Sequence, residues 1–193
     1  LKILRMMEHN TNRIMSLINQ LLDIRRIDQG QMKIKCRETD LISFIDDIYE
    51  IFSYQAIKRN INFTFNHTSE KLFVWIDVKN FDKIIINLLS NAFKFTPDGG
   101  LISTIVATEK KDEKIFVRIE ISDTGCGISE KDLNVIFDRF YQSEPIPGVT
   151  GSGIGLHMVK EYVSLHNGKI EVHSKIGVGT TFLIYIPSDL KGD

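Results

Sequence analysis

The sequence predicts an α+β fold, a sandwich of helices and hairpins preceded by one long N-terminal helix. Three observations predict it. Helical periodicity alternates with short strand-like runs along the chain. The clearest strand pairs, residues 102–108 with 115–122 and 169–174 with 180–186, are joined by charged or glycine-containing turns, as antiparallel hairpins are. The strand–helix–strand succession of a doubly wound parallel sheet is not apparent. With 193 residues, 42% hydrophobic and 25% charged, the chain can bury a core and reads as one sizeable domain with a helical appendage.

The elements follow in order. Over residues 1–28, Leu4, Met7, Ile14, Ile18 and Leu21 stand at the spacing of a packed helix, interrupted by Thr11. Ile3, Leu17 and Ile24 widen that stripe, so a bundle or dimer is expected. After the turn at Asp28 and Gly30, residues 32–36 alternate as a short strand would. A helix is expected over 40–59, with Asp40 as N-cap and Leu41, Phe44, Ile45, Ile48, Ile51 and Phe52 on one face. Residues 61–65 and 72–76 are strand-like. Residues 78–95 are helical until Pro97 stops them. Between Phe140 and Gly151, two prolines and poor periodicity predict a mobile loop. A helix over 154–166 should end at Asn167 and Gly168.

Charge and cysteine exclude several classes. A net charge of −1 with no basic block argues against nucleic-acid binding. No apolar run reaches the roughly eighteen residues of a membrane-spanning helix, so this segment is not expected to cross a membrane. Cys36 and Cys126 fit neither a disulfide framework nor a paired metal site, which suits a reducing cytoplasm. The chain starts at Leu1, without initiator methionine or signal-peptide layout, and is expected to be part of something longer.

Four short segments carry the chemistry. Asn87, Asn91 and Lys94 share one face of a helix, offering neutral amide oxygens for a hard cation and a point charge for an oxyanion. Asp123 ends a strand before Gly125 and Gly127, where a carboxylate can accept from an exocyclic amine; alone, it would equally be a turn-forming Asp. Phe137, Arg139 and Phe140 form the third segment. Gly151, Gly153 and Gly155 then lead into a helix whose N-terminus suits an anion. The ending is neither that of a P-loop nor, with Leu156 in place of a glycine, that of a dinucleotide fingerprint, and the protein-kinase motifs are missing.

Together these segments resemble the N box (residues 87–96), first glycine box (123–128), F box (137–140) and second glycine box (151–156) of sensor histidine kinases. That family also holds DNA gyrase B, Hsp90 and MutL. The resemblance covers nearly the whole chain and implies a Bergerat-type ATP-binding fold, a mixed and mostly antiparallel sheet against helices. It implies a catalytic domain over 31–193 with an ATP lid at about 139–150. Residues 1–30 are similar to the second helix of the dimerisation and phosphoacceptor domain, in the form found in hybrid two-component sensors.

The resemblance also implies residue roles. Asp123 would receive the adenine amine, with Thr180 acting through water. Asn91 would ligate magnesium, Asn87 and Lys94 would meet the phosphates, and Phe95 and Ile128 would flank the base. Gly125, Gly127, Gly151, Gly153, Gly155, Leu156 and Arg139 complete the ATP site. Where gyrase-type ATPases carry a glutamate that activates water, this chain has Asn87, and an amide cannot take that proton. The γ-phosphate would therefore await an outside histidine.

None of the chain's own histidines fits the phosphoacceptor role. His9 departs from the family pattern and reads as a solvated helix residue, while His67, His157, His166 and His173 read as structural. The implied partners are a second copy through the N-terminal helix, a phosphoacceptor histidine domain and a response-regulator receiver. The implied location is a cytoplasmic segment of a membrane-anchored sensor. Two rival readings are a degenerate, non-catalytic kinase-like module and a gyrase- or chaperone-type ATPase.

Overall fold

The computed structural model describes residues 2–111, 114–143 and 151–188. Its elements are α1 (Lys2–Asp28), β1 (Arg37–Asp40), α2 (Leu41–Lys58), β2 (Asn62–His67), β3 (Phe73–Ile76), α3 (Val78–Phe95), β4 (Leu101–Lys111), β5 (Lys114–Asp123), α4 (Glu130–Leu133), α5 (Gly155–Leu165), β6 (Lys169–Lys175) and β7 (Gly179–Pro187). The side chain of His9 lies outside the described residues, as do residues 144–150 of the expected lid.

Period-two alternation builds the main sheet, ordered β2-β4-β5-β7-β6. Ile102, Thr104 and Val106 of β4, Val117, Ile119 and Ile121 of β5, and Phe182, Ile184 and Ile186 of β7 are buried. The register sets Ile119 between Val106 and Ile184, so these residues form one continuous apolar face. Helices α2, α3 and α5 cover that face with Ile45, Phe81, Ile84, Leu88, Val159 and Tyr162. The architecture is thus the expected two-layer sandwich with a preceding long helix.

Two local readings change. Residues 32–36 form no strand and lie in no ladder; Lys35 N–H instead donates to Asp77 Oδ2 at 2.9 Å. The strand forms at β1, which pairs antiparallel with β3 in a separate two-stranded sheet. Because β3 is taken by β1, β2 pairs parallel with β4, and the chain between them crosses over through β3 and α3. That pair is the one parallel pairing among the described strands; β4-β5 and β6-β7 are hairpins, and β5 meets β7 antiparallel across the chain that carries α4, α5 and β6. The short α4 was not expected, although Ser129 and Asp132 carry its signal: Ser129 Oγ accepts from Asp132 N–H at 3.3 Å.

Caps fix the helix starts. Asp40 Oδ1 accepts from Ile42 N–H at 3.3 Å and from Leu72 N–H at 3.1 Å, tying α2 to the segment before β3. Asp77 caps α3 through Asn80 N–H at 3.2 Å. Its own N–H donates to His166 Nε2 at 3.0 Å, and His166 Nδ1–H in turn donates to the Tyr162 carbonyl at 2.7 Å. Both ring nitrogens are thus committed as in the neutral imidazole, and burial holds the His166 pKa below its ordinary value, against the pull of the Tyr162 carbonyl and of Asp77.

A group depressed in this way binds fewer protons folded than unfolded. Stability should be full above the unfolded histidine value of about 6.5 and decline as pH falls through it toward the lower folded value. Urea midpoints measured between pH 7.5 and 5 should fall with acidification, and less so in His166→Phe; a flat parent profile would show that His166 is not buried neutral.

Along α1, Leu4, Met7, Ile14, Ile18 and Leu21 are exposed, whereas Ile24 is buried and Leu17 and Ile27 pack on the core. The stripe inferred from sequence therefore divides. Its C-terminal end is anchored on the domain, and its N-terminal part faces outward.

Candidate functional site

The amphipathic helix α3 buries Leu88, Leu89, Ala92 and Phe93 and leaves Asn87, Asn91 and Lys94 half-buried along its edge. Asn87 Nδ2 donates to the Lys83 carbonyl at 2.7 Å, which turns its Oδ1 toward the glycine-rich segment. A Cβ on Gly155 would lie 2.8 Å from that oxygen, and one on Gly151 would lie 3.0 Å from Lys94 Nζ. The segment can lie on this polar ridge only because it has no side chains there. Lys94 Nζ also sits 4.7 Å from the Phe95 ring centroid.

The same segment starts α5. The position before its first residue, Ile154, offers no side-chain cap, so the N–H groups of the first turn point outward beside Asn87 and Lys94 without one. Such a helix end attracts an anion.

Asp123 stands at the end of β5, opposite Thr180 of β7. Its Oδ1 accepts from Gly125 N–H at 2.8 Å. Burial pushes its carboxyl above the usual range, while the amides of Gly125 and Thr180 pull it back. Gly125 lies under the end of α3, where a Cβ would meet the Phe95 carbonyl oxygen at 2.8 Å. The next turn is clamped to the β6–β7 hairpin: Gly127 has φ +73°, and Gly177 N–H donates to the Cys126 carbonyl at 2.8 Å.

Ser174, which sequence reasoning missed, fastens this corner. Its Oγ accepts from Ile128 N–H at 2.8 Å and lies 2.9 Å from both the Gly179 carbonyl oxygen and Thr180 Oγ1. The register of the hairpin, Ser174 opposite Thr180, is the signal that could have found it.

The F-box segment joins the site from below. Phe137 meets Phe182 edge to face at 6.5 Å, and Phe140 N–H donates to the Gly153 carbonyl at 2.9 Å. Gly153 has φ +70°, and a Cβ there would meet the Phe140 carbonyl carbon at 2.6 Å. Arg139, grouped with the ATP-site residues from sequence, directs its guanidinium to α1: Nη1 and Nη2 reach Asp28 at 2.8 and 2.5 Å, and Nε donates to His157 Nε2 at 3.0 Å. Beside it, Asp23 Oδ2 takes Lys83 Nζ at 2.6 Å and Tyr162 O–H at 2.8 Å. Asp23, Lys83 and Tyr162 were not singled out in sequence, because contacts across 60 to 139 residues leave no local pattern, while Asp28 and His157 were read there as a turn residue and a structural histidine.

The structure thus brings Asn87, Lys94, Phe95, Asp123, Gly125, Gly151, Gly153, Gly155 and Thr180 around one region, with Asn91 on the α3 edge between Asn87 and Lys94. Ile128 and Leu156, both half-buried, line the same two loops. Its chemistry is two-ended: a half-buried carboxylate acceptor at the β5 terminus, and amide oxygens, a lysine and open backbone N–H groups at the α5 terminus. Among the described residues no cluster of three His, Cys, Asp or Glu could hold a metal ion, so a cation here would use an amide oxygen together with a ligand's own oxygens. That donor set fits a magnesium-bound polyphosphate nucleotide.

A family model described as histidine kinase-, DNA gyrase B-, and HSP90-like ATPase matches residues 76–190. A histidine kinase of Formosa agariphila is 34% identical over 191 residues, covering 96% of this chain and 14% of that protein. The hybrid signal transduction histidine kinase D of Dictyostelium discoideum is 34% identical over 194 residues, covering 96% and 12%. The chain therefore spans about an eighth of the length of these relatives. Among solved structures, the catalytic domain of histidine kinase ThkA superposes with a TM-score of 0.70 at 27% identity, covering 80% of this chain and 97% of that one. Full-length ShkA in complex with AMPPNP shares the fold with a TM-score of 0.78 at 23% identity, covering 94% and 37%.

Proposed function

The chain belongs to the histidine kinase-, DNA gyrase B- and HSP90-like ATPase family, and from that membership we propose that it is the catalytic part of a two-component sensor histidine kinase, holding Mg-ATP for transfer of the γ-phosphoryl group to a histidine outside this chain. The observation that carries this reading is the glycine-rich segment laid on the Asn87–Lys94 ridge, with an open helix N-terminus at the same place.

Asp123 accepts from the adenine amine, aided by Thr180 through water, and Phe95 and Ile128 flank the base. Asn87, Lys94 and the backbone of residues 151–156 hold the phosphates, and Asn91 supplies the protein's ligand to magnesium. When bound, the cation would balance phosphate charge and hold the triphosphate in one orientation. Asn87 decides the fate of the γ-phosphoryl group. Its amide cannot take a proton from water, so hydrolysis lacks a base and transfer needs an external nucleophile.

Residues 1–30 are the second helix of a dimerisation domain. Its outward apolar stripe meets the first helix and a second copy, and the phosphorylated histidine hands its group to a receiver. Among the described residues no helix is long and apolar enough to cross a membrane, in keeping with a cytoplasmic segment of a membrane-anchored sensor.

Incubated with γ-labelled Mg-ATP, the chain should acquire no label, should release phosphate only slowly, and should melt at a higher temperature with nucleotide than without. Label should appear on a histidine only when a phosphoacceptor helix pair is supplied. Rapid phosphate release would favour an ATPase, and an absent melting shift would remove the nucleotide assignment.

A further inference from the structure

The C-terminal end of α1 grips the domain at two polar points. Asp23 takes Lys83 Nζ and Tyr162 O–H, and Asp28 makes a two-pronged pair with Arg139. Between them Ile24 is buried and Leu17 and Ile27 pack on the core. Both grips fall at the phosphate end of the candidate site. Lys83 stands one turn before Asn87, whose Nδ2 its carbonyl receives. Arg139 is bracketed by Phe140, bonded to Gly153, and by His157 in the first turn of α5.

The guanidinium is well held. Because His157 Nε2 accepts from Arg139, its Nδ1 carries the proton and donates to the Phe137 carbonyl at 3.1 Å. The imidazole is therefore a strut that fixes Arg139 beside the glycine-rich segment. Burial does not lock the Asp28 pair, since the two side chains are 45% and 39% exposed, a setting in which ion pairs exchange readily. A carboxylate and a phosphate offer the same two-oxygen edge to a guanidinium.

We propose that Asp28 occupies the Arg139 fork that a nucleotide's terminal phosphates would otherwise take, so that docking of α1 on the domain and binding of a triphosphate oppose each other. This rests on the nucleotide reading of the site. The coupling is reciprocal: a docked α1 weakens triphosphate binding, and bound triphosphate loosens α1. A ligand without phosphates is indifferent to α1. The exposed N-terminal stripe of α1 would thereby have a route to the phosphate site through one ion pair.

The test uses the whole chain and two probes, Mg-ATP and adenosine, titrated by calorimetry. Asp28→Asn should bind Mg-ATP about two-fold to five-fold more tightly than the parent, the range of an exposed ion pair, and adenosine equally. Arg139→Gln added to Asp28→Asn should abolish that gain. In the parent, saturating Mg-ATP should speed amide exchange over residues 17–28. Equal Mg-ATP affinity of parent and Asp28→Asn, or unchanged exchange in α1, would overturn the coupling and leave the nucleotide reading standing. Failure of the parent to bind either probe would overturn both.

Discussion

Asp123→Asn should lower ATP affinity by about ten-fold to a hundred-fold, the loss of a charge-assisted hydrogen bond of roughly 1.5–3 kcal/mol, and should do so without unfolding the protein. The substituted side chain can still accept from Gly125 N–H with its oxygen, as Asp123 Oδ1 does at 2.8 Å. Its other arm becomes an NH₂ donor that faces the donor amine of adenine. The effect on the empty domain has the opposite sign. Burial raises the folded pKa of Asp123, so above that pKa the ionised carboxylate costs stability, and a neutral amide removes the cost. Calorimetric titration should therefore show weaker ATP binding while the urea midpoint of the empty protein at pH 7.5 stays level or rises. Parent-like affinity would remove Asp123 from adenine recognition.

Gly127→Ala should destabilise the fold by about 2–5 kcal/mol, a large part of the roughly 5–15 kcal/mol that a domain has. Two costs add. At φ +73° an alanine carries the left-handed penalty of about 1–2 kcal/mol. Its Cβ would also fall 2.1 Å from the Lys175 carbonyl oxygen and 2.6 Å from the carbonyl carbon, backbone atoms fixed in β6, adding about 1–3 kcal/mol of overpacking. Gly177 provides the control. Its φ is +74° but no atom lies within 4 Å of a Cβ there, so Gly177→Ala should cost only the backbone term of about 1–2 kcal/mol. Equal denaturation midpoints for the two variants would show that the loop after β5 is not clamped on the β6–β7 turn in solution.

Much of the fold was legible in the sequence because its signals are local. Pro97 stops α3 within a turn of its end, and α3 runs Val78–Phe95 as the periodicity predicts. Asp40 caps α2, and Asn167 with Gly168 ends α5, with Asn167 in the left-handed region. Alternation found β4, β5 and β7 for the same reason: one face is buried and the other wet. Alternation misled at residues 32–36, where Met32, Ile34 and Cys36 are half-buried with no strand beside them. A ladder needs a partner, and the available partner, β3, lies opposite residues 37–40.

The sequence by itself determined the inventory of the site: two amides and a lysine on one helix edge, a carboxylate before glycines, and a glycine-rich entry to a helix. Each rests on spacing within a few residues, where backbone geometry fixes which side chains share a face. Only the tertiary structure decided how those parts meet. It set Gly155 against Asn87, Ser174 between Ile128 and Thr180, and turned Arg139 away to Asp28 on a helix 111 residues earlier. Such pairings arise where separate elements pack, and the partner of a charge that acts across a layer is chosen by proximity in space, which no local spacing encodes.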